Sequence, residues 1–122
     1  MNKKLGLQRS LPKEVWKIAR RVRQIIIKDN GNSFGMCSDA SVELYQRLQK
    51  AGFPCQLCEG VFNTGWNEFG EEGHYWVRFH RAILDVTADQ FNVDMEGKTK
   101  MAAIVYGTNA ELDGRYTKSE KH

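Results

Sequence analysis

Apolar residues recur at spacings of three and four through two early stretches, then shift to a spacing near two. In the first stretch Val15, Ile18, Val22, Ile25 and Ile26 form the stripe, with Trp16 and Ala19 at its flanks. This predicts an amphipathic helix of about four to five turns with lysines and arginines on its outer face. Ser10 is a suitable N-cap, Pro12 is tolerated in a first turn, and Asp29-Asn30-Gly31-Asn32 is a stop signal. A second helix is expected from Cys37 or Ser38 to Lys50, with Ala40, Leu44, Leu48 and Ala51 facing inward and Val42 and Tyr45 at the edges. Ser38 or Asp39 is the expected cap, and Gly52 and Pro54 end the helix.

From Cys55 the pattern is strand-like. Cys55–Phe62 reads as a strand with a glycine irregularity at Gly60, and the glycine-punctuated, acidic 63–73 segment reads as a loop. His74–Phe79 and Ala82–Val86 read as two strands joined at His80-Arg81, and Ala102–Tyr106 as a last strand. Two helices followed by a meander of strands predict an α+β fold, the helices packed on one face of an antiparallel sheet.

At 122 residues the chain is expected to be one domain spanning 1–122, with 1–10 and about 108–122 as polar terminal segments. Hydrophobic residues at 41% and charged residues at 27% are ordinary for a globular protein and exclude a disordered class. The basic excess behind the net charge of +3 is concentrated near the N-terminus, from Lys3 to Lys28. A solvated helix face is the favoured reading of that excess over a nucleic-acid footprint. No apolar run is long enough to cross a bilayer, and no apolar stretch follows Lys3-Lys4 as in a secretory leader. Three cysteines do not make a disulfide framework, so a cytoplasmic location is expected.

Candidate chemistry centres on Gly35-Met36-Cys37. A thiol where a loop turns into a helix meets unpaired N–H groups and the positive end of the helix dipole, which favour thiolate. His74 and Asp85 supply the other two groups of a nucleophilic triad: a base for the thiol, and a carboxylate to orient that base. Their geometry depends on strand register. An even-numbered loop at His80-Arg81 puts His74 and Asp85 on one face, either directly opposite or diagonal with Trp76 opposite Asp85; an odd loop separates them. Asp85 is flanked by Ile83, Leu84 and Val86, a poor setting for an unpaired carboxylate. The Cys37 amide is the natural first oxyanion donor, and Asn32 and Gln24 are candidates for a second. Trp66, Phe69 and Trp76 are candidates to line a substrate groove.

Cys55-x-x-Cys58 invites a redox or zinc reading, and Cys37, Cys55, Cys58 and His74 could be written as a Cys₃His site. In a strand, however, positions i and i+3 point to opposite faces, and no second metal-ligand pair supports the site. No metal and no cofactor are therefore expected.

Gly35-Met36-Cys37, His74-Tyr75-Trp76-Val77 and Asp85-Val86-Thr87-Ala88-Asp89-Gln90-Phe91 together resemble the transglutaminase-like superfamily of papain-like cysteine enzymes. The likeness is to small bacterial and phage members with segments of the type His-x-Trp-Val and Asp-Pro-Thr-x-x-Gln-Phe; Val86 stands where proline is frequent. It spans about residues 31–92. The resemblance implies a papain-like core, a Cys-His-Asp triad, a helix carrying the nucleophile, and a sheet carrying His and Asp. Together with the residues, it gives the expectation of a cysteine hydrolase or acyltransferase (protease, deamidase or amide transfer) acting on peptide or protein amides through a thioester. The alternative is a non-catalytic module on the same fold that binds a protein or nucleic-acid partner.

Overall fold

A computed structural model describes residues 4–33, 35–64, 71–94 and 99–119. Helix α1 (Lys13–Asn30) starts directly after Pro12, whose locked backbone suits a helix entry, and no side chain caps it, so the expected Ser10 cap is not formed. It ends at Gly31, where φ is 84° and the N–H returns to the Ile27 carbonyl at 2.7 Å. Its buried stripe is Val15, Ala19, Val22 and Ile26. Ile18 and Ile25, expected in the stripe, are only half-buried, while Ala19, expected at its flank, is fully buried, because the apolar arc is wide and packing against the second helix and the sheet selects its Ala19 side.

Helix α2 (Cys37–Lys50) buries Ala40, Ser41, Leu44 and Leu48, while Ala51 is exposed beyond its end. Full burial of leucines such as Leu44 and Leu48 contributes about 2 kcal/mol each. Met36 occupies the cap position without a side-chain hydrogen bond, so neither Ser38 nor Asp39 caps the helix; Asp39 instead lies in the first turn, where its charge suits the dipole.

The strands are β1 (Leu5–Leu7), β2 (Gln56–Asn63), β3 (Glu71–Phe79), β4 (Ala82–Asp85), β5 (Met101–Gly107) and β6 (Tyr116–Lys118). They form one sheet in the order β1-β5-β4-β3-β2-β6, antiparallel except for the β1–β5 pair. With the two α-helices and a 3₁₀ helix at Ala88–Asp94, the fold is α+β.

Alternation along the strands gives the sheet two apolar faces. Val77, Phe79, Leu84, Ile104 and Tyr106 pack against the stripes of α1 and α2. Cys58, Phe62, Trp76, Ile83, Val105 and Tyr116 pack on the other side with Phe91 of the 3₁₀ helix and Leu112. Among the described residues, no helix is long and apolar enough to cross a membrane.

Three expectations require correction. The 1–10 segment is more than a polar lead-in, because Leu5–Leu7 pairs with β5. The segment after Gly107 is not a polar tail: Leu112 is fully buried, and Arg115 and Tyr116 are buried as well. Gly60 marks no irregularity, since β2 and β3 pair without a break from Gln56 to Asn63. It is a point of close approach, where a Cβ would lie 2.0 Å from the Thr117 carbonyl oxygen and 2.8 Å from the Trp76 ring.

Candidate active site

Strand β3 carries His74 and strand β4 carries Asp85. The turn between them is the two residues His80 and Arg81, and Phe79 pairs with Ala82, Arg78 with Ile83 and Val77 with Leu84. This is an even loop in the diagonal register, so His74 and Asp85 share the face that looks away from α1 and α2. Their side chains are fully buried and joined by a 2.6 Å hydrogen bond between His74 Nε2 and Asp85 Oδ2.

Asp85 has further donors. The Tyr116 hydroxyl donates to the same Oδ2 at 2.6 Å, and the Thr87 N–H donates to Oδ1 at 2.9 Å. Burial alone would raise the Asp85 pKa, but the charge and hydrogen bond of His74, with those of Tyr116 and Thr87, hold it below the usual carboxylate range. Burial would likewise lower the pKa of His74; the Asp85 carboxylate more than reverses this and, with Cys37, raises it to about 9. The ring is enclosed edge-to-face by Phe91 at 4.9 Å and Phe62 at 5.8 Å, with Trp76 at 6.0 Å beside it. This dry setting strengthens the ion pair.

Cys37 reaches this pair from the helical side. It is the first residue of α2 and is half-buried. Strand β4 ends at Asp85, leaving the β4 side of Tyr75 without a strand partner among the described residues, and the Tyr75 main chain there favours the thiolate form of Cys37. The remaining ring nitrogen of His74, Nδ1, is buried and lacks a hydrogen bond of ordinary geometry. The Cys37 thiol is nevertheless near enough to the imidazole for each to shift the other's pKa, the thiol downward and the imidazole upward. Burial raises the Cys37 pKa, but His74 and the Tyr75 N–H outweigh it and leave the thiol more acidic than usual.

The loop bearing Cys37 is tied to the Asp85 end of the sheet. Gln90 accepts from the Gly35 N–H at 3.2 Å and donates to the Thr87 carbonyl at 3.0 Å. Asp89 receives both Arg23 guanidinium nitrogens, at 2.6 and 2.7 Å, and the Ser33 hydroxyl at 2.8 Å. Arg23 also donates to the Val86 carbonyl at 2.9 Å. Helix α1, the loop before α2 and the segment after Asp85 are thereby held in one arrangement.

The remaining candidates separate. Gln24 is exposed on α1, and Asn32 is exposed in the loop, where its side chain accepts from Asn30; among the described residues neither is seen bonded to Cys37, His74 or Asp85. Trp76 is 3% exposed within the second core, where it lies beside His74 and also lines a cavity on the sheet face away from the helices. Trp66 and Phe69 lie outside the described residues. Cys55 packs toward the helices and Cys58 toward the opposite core, as alternation requires. Among the described residues, no group of three or more His, Cys, Asp or Glu side chains could hold a metal.

Tyr116 and the Gln90 and Asp89 ties were missed by sequence reasoning. A signal for Tyr116 was present: Asp113-Gly114 is a turn dipeptide, and Tyr116-Thr117 favours a strand. Comparison of the chain with family models, with curated protein sequences and with solved structures returned no match.

Proposed function

We propose that this protein is a cysteine hydrolase or acyltransferase of transglutaminase-like, papain-like type, acting on peptide or protein amides. The observation that carries the reading is the division of the His74 ring: Nε2 is held by a buried carboxylate, while Nδ1 is buried without a hydrogen-bond partner among the described residues and Cys37 is near enough for the two groups to shift each other's pKa. In this reading Cys37 is a thiolate and His74 an imidazolium at neutral pH. The thiolate attacks the amide carbonyl, and the oxyanion is met by the Cys37 N–H at the helix start. His74 gives its proton to the departing amine, leaving a thioester on Cys37. Water or a second amine, deprotonated by His74, then releases the acyl group and restores the thiolate. Asp85 keeps the ring oriented and its charged form favoured. A reducing, cytoplasmic setting belongs to the same proposal, since free thiols persist there.

The test is iodoacetamide labelling of Cys37 across pH, in the native chain and in His74→Gln, with folding checked by circular dichroism. The native thiol should label readily below neutral pH, and His74→Gln should shift labelling toward the alkaline range of a simple thiol. Native labelling that follows an unperturbed cysteine sinks the reading.

One observation favours a non-catalytic module as a second reading. A groove of about 620 Å³ between α1 and α2 is lined by Lys17, Arg21, Lys50 and an Arg47 paired with Glu43, and by none of the triad. A partner-binding role through that basic groove would survive Cys37→Ala, whereas thioester chemistry would not.

A further inference from the structure

The turn His80-Arg81 is unusual in composition. Both residues have left-handed backbone, with φ of 49° and 63°. Two-residue hairpin turns of this kind favour Asn-Gly or Asp-Gly, because larger side chains are strained there. His80 offsets part of the strain by stacking on Phe79, with ring centroids 4.0 Å apart. Arg81 forms no side-chain hydrogen bond or ion pair among the described residues. It is held instead at the mouth of a cavity.

That cavity, about 310 Å³, lies on the sheet face away from α1 and α2. Trp76, Ile83 and Tyr116 form its floor and are all buried; Arg78, Arg81 and Lys118 form its rim and are all exposed. The three cations come from β3, the turn and β6, and among the described residues no carboxylate lines the cavity. Among the described residues none of the three is in a salt bridge. Three uncompensated cations gathered over an aromatic floor repel one another, a cost that an anion removes.

We propose that this cavity binds a small phosphomonoester, its phosphate on Arg78, Arg81 and Lys118 and its organic body over Trp76 and Ile83. A carboxylate brings one negative charge to three cations, whereas a phosphomonoester brings nearly two and three acceptor oxygens. The volume suits a small ligand and is too small for a folded partner or a duplex. The site is distinct from Cys37 and does not depend on the thioester chemistry.

Calorimetric titration of the full chain with phenyl phosphate, at low and constant ionic strength, tests this against inorganic phosphate and benzoate. Phenyl phosphate should bind roughly tenfold more tightly than either. Arg81→Gly should weaken it roughly tenfold while leaving the unfolding midpoint unchanged or higher, because glycine accepts the positive φ. Lys118→Ala should also weaken binding, and Cys37→Ala should bind as the native chain does. Benzoate binding as tightly as phenyl phosphate, undiminished binding in both Arg81→Gly and Lys118→Ala, or no binding by the native chain overturns the proposal.

Discussion

Removing the Cys37 thiol should change how stability depends on pH, and the direction follows from proton counting. The folded state raises His74 from 6.5 to about 9, which corresponds to about 3 kcal/mol of preference for the imidazolium in the fold. For a group whose folded pKa lies above its unfolded value, that stabilisation is complete below about pH 6.5 and is lost as pH rises toward 9. In the native chain the thiol works the other way. Its folded pKa is lowered, so the fold releases a proton from Cys37 while retaining one on His74. The thiol thereby offsets part of the loss from His74, and stability should fall less steeply from pH 6.5 to 9 than it does without the thiol. In Cys37→Ala only the His74–Asp85 pair remains, and stability should fall by up to about 1.4 kcal/mol per pH unit, at most about 3 kcal/mol in all. Urea unfolding of both proteins at half-unit pH steps measures this. Parallel profiles for the two would refute the thiolate–imidazolium assignment. A flat profile for Cys37→Ala would refute the raised pKa of His74.

Tyr116→Phe removes one of the buried donors to Asp85 Oδ2 and should cost about 1 to 3 kcal/mol in urea unfolding, with a shift in the pH dependence of Cys37 labelling. Conversion of Gly60 to alanine drives a methyl group into the Thr117 carbonyl, so it should displace β6 and cost about 3 kcal/mol or more; amide exchange at Thr117 and Lys118 would report the loss of pairing. Arg23→Lys keeps the charge but gives up the two-nitrogen grip on Asp89, and should cost about 1 to 2 kcal/mol in thermal or urea unfolding.

Much of the site was legible because its parts are local. A glycine-containing loop before an apolar stripe places Cys37 at a helix start, and that is where α2 begins. The hairpin placed His74 and Asp85 on one face once its loop was taken as even, and the two-residue turn makes it so. The helix caps were misread because Ser10, Ser38 and Asp39 are good cap residues by type, whereas the backbone enters the helices through Pro12 and Met36. Strands β1 and β6 were missed because each is three residues long, too short for alternation to show.

By itself, the amino-acid sequence determined the two helices, the central hairpin and the α+β class, since each rests on a hydrophobic period readable within one segment. It also singled out three residues able to form a triad. Tertiary structure alone decided what surrounds them: Tyr116 on Asp85 from 31 positions away, Gln90 on the Gly35 loop, Arg23 on Asp89, and three cations over Trp76. No local pattern encodes such contacts, because a hydrogen bond between distant residues depends on which strands become neighbours. The end of β4 at Asp85 is the clearest case: it leaves Tyr75 without a strand partner on that side among the described residues, where Tyr75 and His74 together lower the pKa of Cys37.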